Sequence, residues 1–172
     1  CADDGVRNAI RMMKESGCDA LKVEGGVEIL PTIRKILDAG IPVMGHLGLI
    51  PQSINKFGTY AVRAQEKEES DKLYADALAL AEVGCFAIVL EKIPAMLTQR
   101  IVEAVDIPII GIGGGTADGQ VLVIDDMLGK NKDVSPKFLR RYADLTTVMT
   151  DAIKRYVNDV KTGDFPNENE CY

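Results

Sequence analysis

Short apolar runs alternate along this chain with stretches in which apolar residues recur at helical spacing, and this alternation limits the fold more than any other feature. The runs are rich in Val and Ile, which favour strands. Strands joined by helices in this order form a parallel sheet with helices packed against it. The sequence therefore predicts an α/β fold, with strands at 20–24, 41–46, 86–91, 107–112 and 121–124.

The stretches before, between and after these strands are predicted to be helical. Helices are expected at 3–16, 28–38, 69–83, 94–105 and, as one long C-terminal helix with a possible break near 146–147, at 138–160. Gly17 and Gly40 follow the first two helices, where glycine commonly ends a helix. The charged stretch 66–69 is predicted to be a solvent-exposed helix start.

Composition excludes several classes of protein. The 172 residues carry 20 Lys and Arg against 26 Asp and Glu, a net charge of −6 that argues against a nucleic-acid partner. No apolar run approaches the ~18 residues that span a bilayer. The first residues are neither basic nor apolar, so we expect no signal peptide. The chain begins with Cys1 rather than Met, which is consistent with a processed, truncated or partly observed chain.

The four cysteines lie singly along the sequence, and none belongs to a pair with metal-binding spacing. Cys18 and Cys85 precede strands and are predicted to be small core residues, whereas Cys1 and Cys171 are terminal thiols. We expect no disulfide and a reducing compartment.

Ionisable residues gather at the carboxyl ends of three consecutive predicted strands. Lys22 and Glu24 lie two apart on one strand and so share a face, His46 ends the second strand, and Glu91 ends the third. Ligands of parallel α/β folds bind at the carboxyl ends of strands. Taken singly, each residue could instead be structural: Lys22 with Glu24 as an ion pair, the others as capping groups. Taken together, the four favour a functional site.

The glycine-rich stretch 111–115 admits two interpretations of equal weight. Exposed backbone N–H groups in such a stretch bind phosphate, but the spacing matches no P-loop. The alternative is a tight turn that allows a close approach of substrate or backbone. The basic run at 137–141 is isolated, and we interpret it as surface.

Several of these segments together resemble the ketopantoate hydroxymethyltransferase family (3-methyl-2-oxobutanoate hydroxymethyltransferases). The most specific is the stretch GHLGLIPQS at 45–53. The matching segments are KVEGG at 22–26, PVMGHLGL at 42–49, VLE at 89–91 with Pro94, IPIIGIG at 107–113 and DGQVLV at 118–123. The resemblance extends from the first helix almost to the C-terminus.

The resemblance implies a (β/α)₈ TIM barrel, of which this chain carries about the last five strands. Residues 1–163 would form that partial barrel, and residues 164–172 an acidic C-terminal tail that is mobile or acts as a surface strap. A complete barrel takes about 250 residues. The first three strands of the family, its N-terminal Asp-Ser pair and a later Asp that ligates magnesium have no counterpart in this sequence.

The resemblance also implies a reaction. The family transfers a hydroxymethyl group from 5,10-methylenetetrahydrofolate to 3-methyl-2-oxobutanoate, giving 2-dehydropantoate, and uses Mg²⁺ to polarise the ketoacid carbonyl. By motif match, Glu24 belongs to the outer part of the magnesium site and Lys22 binds the ketoacid. Glu91 is the proton acceptor, and His46 lines the pocket and holds or relays a proton. The remaining acids near the last strand, Asp118, Asp125 and Asp126, are expected to serve turns and helix starts.

The sequence departs from the family pattern at three places, and these departures keep a second function open. Ala61 and Arg63 stand where the family usually has Lys and Gln. Two residues, Thr116 and Ala117, separate the glycine loop from Asp118, where the family typically has three. Asp125 stands where the family commonly has a His. The alternative to an enzyme is a truncated non-catalytic homologue that acts as a structural or interaction subunit.

Family relatives also imply partners and location. We expect a homo-oligomer, or another chain that supplies the missing N-terminal strands, with no nucleic-acid or membrane partner. The location implied is cytoplasmic, or mitochondrial if the source is eukaryotic.

Overall fold

A computed structural model describes residues 1–133 and 135–172. These residues form two compact units, Cys1–Val121 and Leu122–Tyr172. The first unit contains a five-stranded sheet in which neighbouring strands are all parallel and follow the chain order β1-β2-β3-β4-β5. The strands are β1 Leu21–Glu24, β2 Val43–Gly48, β3 Ala87–Glu91, β4 Ile109–Ile112 and β5 Gly119–Gln120. The predicted α/β fold with a sequential parallel sheet is confirmed.

Helices lie before β1 and between the strands, and the four predicted at 3–16, 28–38, 69–83 and 94–105 are present. The helices are α1 Ala2–Ser16, α2 Leu30–Asp38, α3 Ile54–Phe57, α4 Lys67–Val83 and α5 Ala95–Val102, with 3₁₀ turns at Val27–Ile29 and Pro51–Ser53. Gly17 ends α1 in the left-handed conformation, as predicted. Helix α4 begins inside the charged stretch, with Glu66 as its N-cap, which confirms the predicted helix start.

One face of the sheet packs against helices and forms the core. Alternate strand residues, among them Val43, Ile88 and Ile109, are fully buried on this face together with Ile33 of α2 and Leu80 of α4. Because side chains alternate along a strand, the neighbouring residues point to the other face. That other face carries Lys22, Glu24, His46 and Glu91, and among the described residues it contributes no side chain to this core.

The fifth strand lies earlier than the sequence predicts. Pairing begins at Gly119, opposite Ile110, rather than at 121–124. The side chain of Asp118 accepts a hydrogen bond from the N–H of Ile109 at 2.8 Å, which fixes the start of the pairing. The apolar run that follows leaves the sheet, and Ile124 begins helix α6, Ile124–Met127. The prediction of a strand at 121–124 was therefore wrong.

The second unit contains α6, helix α7 Leu145–Thr162 and a 3₁₀ turn at Glu168–Glu170. Helix α7 begins seven residues later than the predicted 138, because Asp144 caps it by accepting a hydrogen bond from the N–H of Thr147 at 3.2 Å. The N–H of Tyr142 instead donates to the carbonyl of Met127 at 2.7 Å, so the segment before α7 bonds to α6 and does not form a helix of its own. The predicted break near 146–147 coincides with the helix start.

The smaller predictions have mixed outcomes. Asp125 and Asp126 lie in the first turn of α6, as expected of helix-start residues. All four cysteines are free thiols, with Cys85 buried and Cys1 and Cys171 exposed. Within the described ranges no helix is both long and apolar enough to cross a bilayer. The assignment of residues 1–163 to a partial barrel stays a prediction.

Candidate active site

The strand register brings three of the four predicted site residues to one place. Glu24 is the last residue of β1 and lies opposite His46 of β2. Glu91 is the last residue of β3 and lies opposite Gly48, two residues beyond His46 on the same face. Their side chains therefore project from one face at the carboxyl ends of three adjacent strands.

His46 lies between the two carboxylates. Its Nδ1 is 3.4 Å from Oε1 of Glu24, and its Nε2 is 3.3 Å from Oε2 of Glu91. The imidazole is 1% exposed, whereas the Glu24 and Glu91 side chains are 15% and 18% exposed. The histidine is thus buried, and the two carboxylates border it from opposite sides while keeping contact with solvent.

None of these close approaches has hydrogen-bond geometry. Both ring nitrogens of His46 and Oε2 of Glu24 are buried and have no hydrogen-bond partner among the described residues. Buried polar atoms are paired in the great majority of cases, and exceptions concentrate where a ligand, an ion or water is bound. The three orphaned atoms are therefore free to accept a ligand, an ion or water, and the assignment of Glu24, His46 and Glu91 to a functional site stays a prediction.

This arrangement can move a proton. A neutral imidazole donates from one nitrogen and accepts at the other, so it can link two carboxylates. A small shift of either glutamate would bring it within hydrogen-bonding distance of the ring. A proton taken up by Glu91 can then pass to His46.

Lys22 does not join this cluster. It lies two residues before Glu24 on the same face, is exposed, and makes no hydrogen bond or ion pair with the described residues. The structural ion pair between Lys22 and Glu24 is therefore not formed. The free ammonium group is available to an anion at the edge of the site.

The backbone around Glu91 is held by contacts that the sequence did not predict. The carbonyl of Glu91 accepts a hydrogen bond from the N–H of Leu49 at 2.8 Å. Lys92, which follows, adopts a left-handed conformation with φ 51°, and its carbonyl accepts from the N–H of Arg63 at 2.9 Å. The Nζ of Lys92 donates to the carbonyl of Tyr60. Within this segment the sequence distinguished only Ala61 and Arg63, as departures from the family pattern.

A cavity of about 450 Å³ opens beside His46. It is lined by the loop that follows Glu24 and by Arg63, Lys72 and Asp76. Asp76 of α4 is one of the few buried charged residues among those described, and sequence reasoning missed it because nothing local distinguishes it from other helix residues. The volume lies within the range of small-molecule sites.

The glycine loop owes its composition to close packing. The hydroxyl of Thr98 donates to the carbonyl of Gly114, and Gln120 donates to that of Gly115 at 2.9 Å. A Cβ atom on Gly115, which has φ 87°, would lie nearer than 3.0 Å to Ala95 of α5. These contacts explain the glycines as a tight turn, whereas phosphate binding by the loop stays a prediction.

The described residues fit one part of a magnesium site. Glu24 Oε2 is a buried carboxylate oxygen without a partner, which suits a ligand of Mg²⁺ or of its bound water. In the part of the chain that the structure describes, no group of three or more His, Cys, Asp or Glu side chains could hold a metal ion. Glu24 alone would therefore not complete a magnesium site.

Known proteins are similar to this chain over nearly its entire length. A protein-family model described as ketopantoate hydroxymethyltransferase matches residues 1–168. Proteins named 3-methyl-2-oxobutanoate hydroxymethyltransferase are similar to this chain: those of Bacteroides thetaiotaomicron and Flavobacterium johnsoniae are 66% and 61% identical over 170 residues. The protein of that name from Prosthecochloris aestuarii is 56% identical over 172 residues.

These relatives cover 98–99% of this chain, but the chain spans only 62% of their length. Among solved structures, the YdjI aldolase from Escherichia coli K12 superposes with a TM-score of 0.41 at 14% identity, covering 74% of this chain and 55% of that one. A superposition at this level does not establish a common fold. The family model, in contrast, matches almost the entire sequence, and the chain belongs to the ketopantoate hydroxymethyltransferase family.

Proposed function

We propose that this chain forms part of the active centre of an enzyme that transfers a hydroxymethyl group from 5,10-methylenetetrahydrofolate to 3-methyl-2-oxobutanoate, giving 2-dehydropantoate. The observation that supports this most is the buried His46 between Glu24 and Glu91, with its ring nitrogens unpartnered. Membership of the family supplies the class of reaction. The relatives are bacterial, which supports the cytoplasm as the location.

Glu91 acts as the base of the first step. Its carboxylate takes the proton from C3 of the ketoacid, the C–H electron pair forms the C2–C3 double bond, and the carbonyl π pair moves to oxygen. Water hydrolyses the methylene bridge of the folate, which breaks both C–N bonds of that carbon and leaves tetrahydrofolate and formaldehyde. The enolate attacks the formaldehyde carbon through C3, the C=O π pair moves to oxygen, and a proton there completes the hydroxymethyl group. A partly exposed carboxylate at the end of a buried strand can reach a substrate from above the sheet.

His46 and Lys22 support this step. The imidazole beside Glu91 takes over the abstracted proton and thereby prepares the carboxylate for the next turnover. The Lys22 ammonium, which has no partner among the described residues, binds the carboxylate or the enolate oxygen of the ketoacid.

Glu24 contributes one carboxylate to the magnesium site, directly or through water. Magnesium bound there would polarise the ketoacid carbonyl and so make the neighbouring C–H more acidic. We propose that the remaining ligands come from strands that complete the barrel and belong to a longer polypeptide or to another chain. The greater length of the relatives supports this completion.

The function is tested by product formation in the complete protein. With ketoacid, Mg²⁺ and 5,10-methylenetetrahydrofolate, we expect 2-dehydropantoate to appear. Lys22→Met should raise the KM for the ketoacid about tenfold to a hundredfold, because a charge-assisted hydrogen bond is worth about 1.5–3 kcal/mol. Lys14→Met is the matched control, since Lys14 is exposed in the last turn of α1.

Two results would contradict the proposal. Absence of product under these conditions would favour the non-catalytic homologue. An unchanged KM in Lys22→Met would remove Lys22 from ketoacid binding while leaving the reaction class in place.

A further inference from the structure

Beyond its first residue, the loop that follows Glu24 is held by side chains and not by the sheet. Its first residue, Gly25, still pairs with β2 through a hydrogen bond from its N–H to the carbonyl of His46 at 3.2 Å. The next two amides leave the sheet. The N–H of Gly26 donates to Oε1 of Glu28 at 3.2 Å, and the N–H of Val27 donates to Oδ1 of Asp76 at 3.1 Å.

Asp76 is a buried carboxylate that the proposed reaction does not use. It lies in the middle of α4 and is only 5% exposed. A buried carboxylate costs several kcal/mol unless it is paired and hydrogen-bonded. Its partners are the N–H of Val27 and the Nζ of Lys72, so its burial is explained by the loop that it holds.

Packing at Gly26 shows how closely the loop lies against this carboxylate. A Cβ atom at Gly26 would be nearer than 3.0 Å to Cγ and to both carboxylate oxygens of Asp76. The space that Asp76 occupies therefore requires glycine at this position.

Lys72 joins the two acceptors. Its Nζ contacts Oδ2 of Asp76 and lies 3.4 Å from Oε2 of Glu28. Two consecutive loop amides thus bind two carboxylates, and one ammonium group contacts both. We name Glu28, Lys72 and Asp76 together the loop clamp.

The cavity beside His46 gives the loop room to move without this clamp. Gly25, Gly26 and Asp76 line the same space of about 450 Å³. Glu24 directly precedes the loop, and its carboxylate lies 3.4 Å from His46 with Oε2 unpartnered. A displacement of Gly25 and Gly26 into the cavity would turn this carboxylate away from the site.

We infer that Asp76 is a positioning residue for Glu24: by binding the loop amide of Val27 from α4, it fixes the direction of the Glu24 carboxylate and thereby the strength of metal binding. This inference rests on the proposed function, in which Glu24 contributes to the magnesium site. Residues that orient a metal ligand typically change metal affinity about 10–100-fold when they are mutated.

The test measures Mn²⁺ binding, as a probe for Mg²⁺, by electron paramagnetic resonance in the complete protein saturated with ketoacid. Asp76→Ala should weaken binding by about tenfold or more. Asp76→Asn keeps an oxygen for the Val27 N–H but loses the charge that holds Lys72, so it should give a smaller loss. Asp71→Asn is the control, because Asp71 lies on the same helix with a half-exposed side chain. Thermal unfolding is recorded for each variant.

Three results separate the possible failures. A lower melting temperature of Asp76→Ala with unchanged Mn²⁺ affinity would overturn the inference, because it shows a purely structural role. If Asp76→Ala does not fold, the same comparison is made with Asp76→Asn and Lys72→Met, and unchanged affinity in both overturns the inference. Wild-type affinity in Glu24→Ala would overturn the proposed magnesium role of Glu24 and this inference with it.

Discussion

At the scale of single residues, Gly48 shows how closely the site depends on backbone geometry. It adopts φ 94°, a left-handed conformation, and lies opposite Glu91 in the sheet. A Cβ atom there would lie nearer than 3.0 Å to the carbonyl oxygen of Glu91, the same oxygen that accepts from Leu49. Both conformation and space therefore require glycine beside the proposed base.

Gly48→Ala should displace Glu91 and lower kcat/KM in the complete protein. A misplacement of about 1 Å costs about a hundredfold in rate, so we expect a loss of that order. Gly58→Ala is the matched control. Gly58 is also left-handed, with φ 68°, but a Cβ atom there meets nothing within 4 Å, so only a backbone cost of about 1–2 kcal/mol in stability is expected. Equal kcat/KM values in the two variants would contradict the account.

The proximity of Glu24, His46 and Glu91 could be predicted from sequence because each lies at or near the carboxyl end of a buried strand, a position that can be read locally. The sequence could not identify Asp76. The contact that gives Asp76 its role joins it to Val27, 49 positions away in sequence, and depends on where α4 packs. Nor could it show that Lys22 lacks an ionic partner, since that is settled by side-chain placement.

At the scale of elements, the connection between β1 and α2 carries a pH dependence. The pKa of Glu28 lies below its ordinary value of 4.5. The carboxylate accepts hydrogen bonds from the N–H of Glu28 itself and from that of Gly26, and it contacts Lys72, although partial burial opposes the shift. A lowered pKa in the folded state stabilises the fold above the unfolded value, and this contribution is lost as the pH falls through the folded pKa.

Glu28→Gln should therefore be less stable than wild type at pH 7, and the difference should shrink as the pH falls below 4.5. Chemical denaturation of the complete protein at pH 7 and pH 3 measures it. Glu82→Gln serves as the control, since Glu82 is exposed on α4 and makes no ion pair with the described residues. A Glu28→Gln difference as large at pH 3 as at pH 7 would mean that the carboxylate does not stabilise this connection through its charge.

The elements that could be predicted from sequence are those with local signals. β1 to β4 are bounded apolar runs, and helix α1 ends at a glycine. The two elements that were misplaced depend on distant partners. β5 begins where Asp118 binds the N–H of Ile109, and α7 begins late because Tyr142 binds Met127. Neither contact leaves a trace in the periodicity of its own segment.

At the scale of the whole molecule, the sheet is asymmetric. Helices cover one face, and the residues of the candidate site project from the other. Parallel sheets are ordinarily covered on both faces, and in a closed barrel the second face becomes the interior. The resemblance, the family and the greater length of the relatives agree with the proposal that further strands close this sheet over Glu24, His46 and Glu91.

We propose Glu91 as the base that removes the C3 proton of the ketoacid. The direct measurement is exchange of that proton with deuterated water by the complete protein with Mg²⁺ and without folate, followed by nuclear magnetic resonance. Glu91→Gln should slow exchange by about a hundredfold or more while binding of the ketoacid stays close to wild type, because the amide keeps the shape and loses the base. Glu103→Gln, at the exposed end of α5, should exchange at the wild-type rate. Exchange by Glu91→Gln at that same rate would contradict the claim.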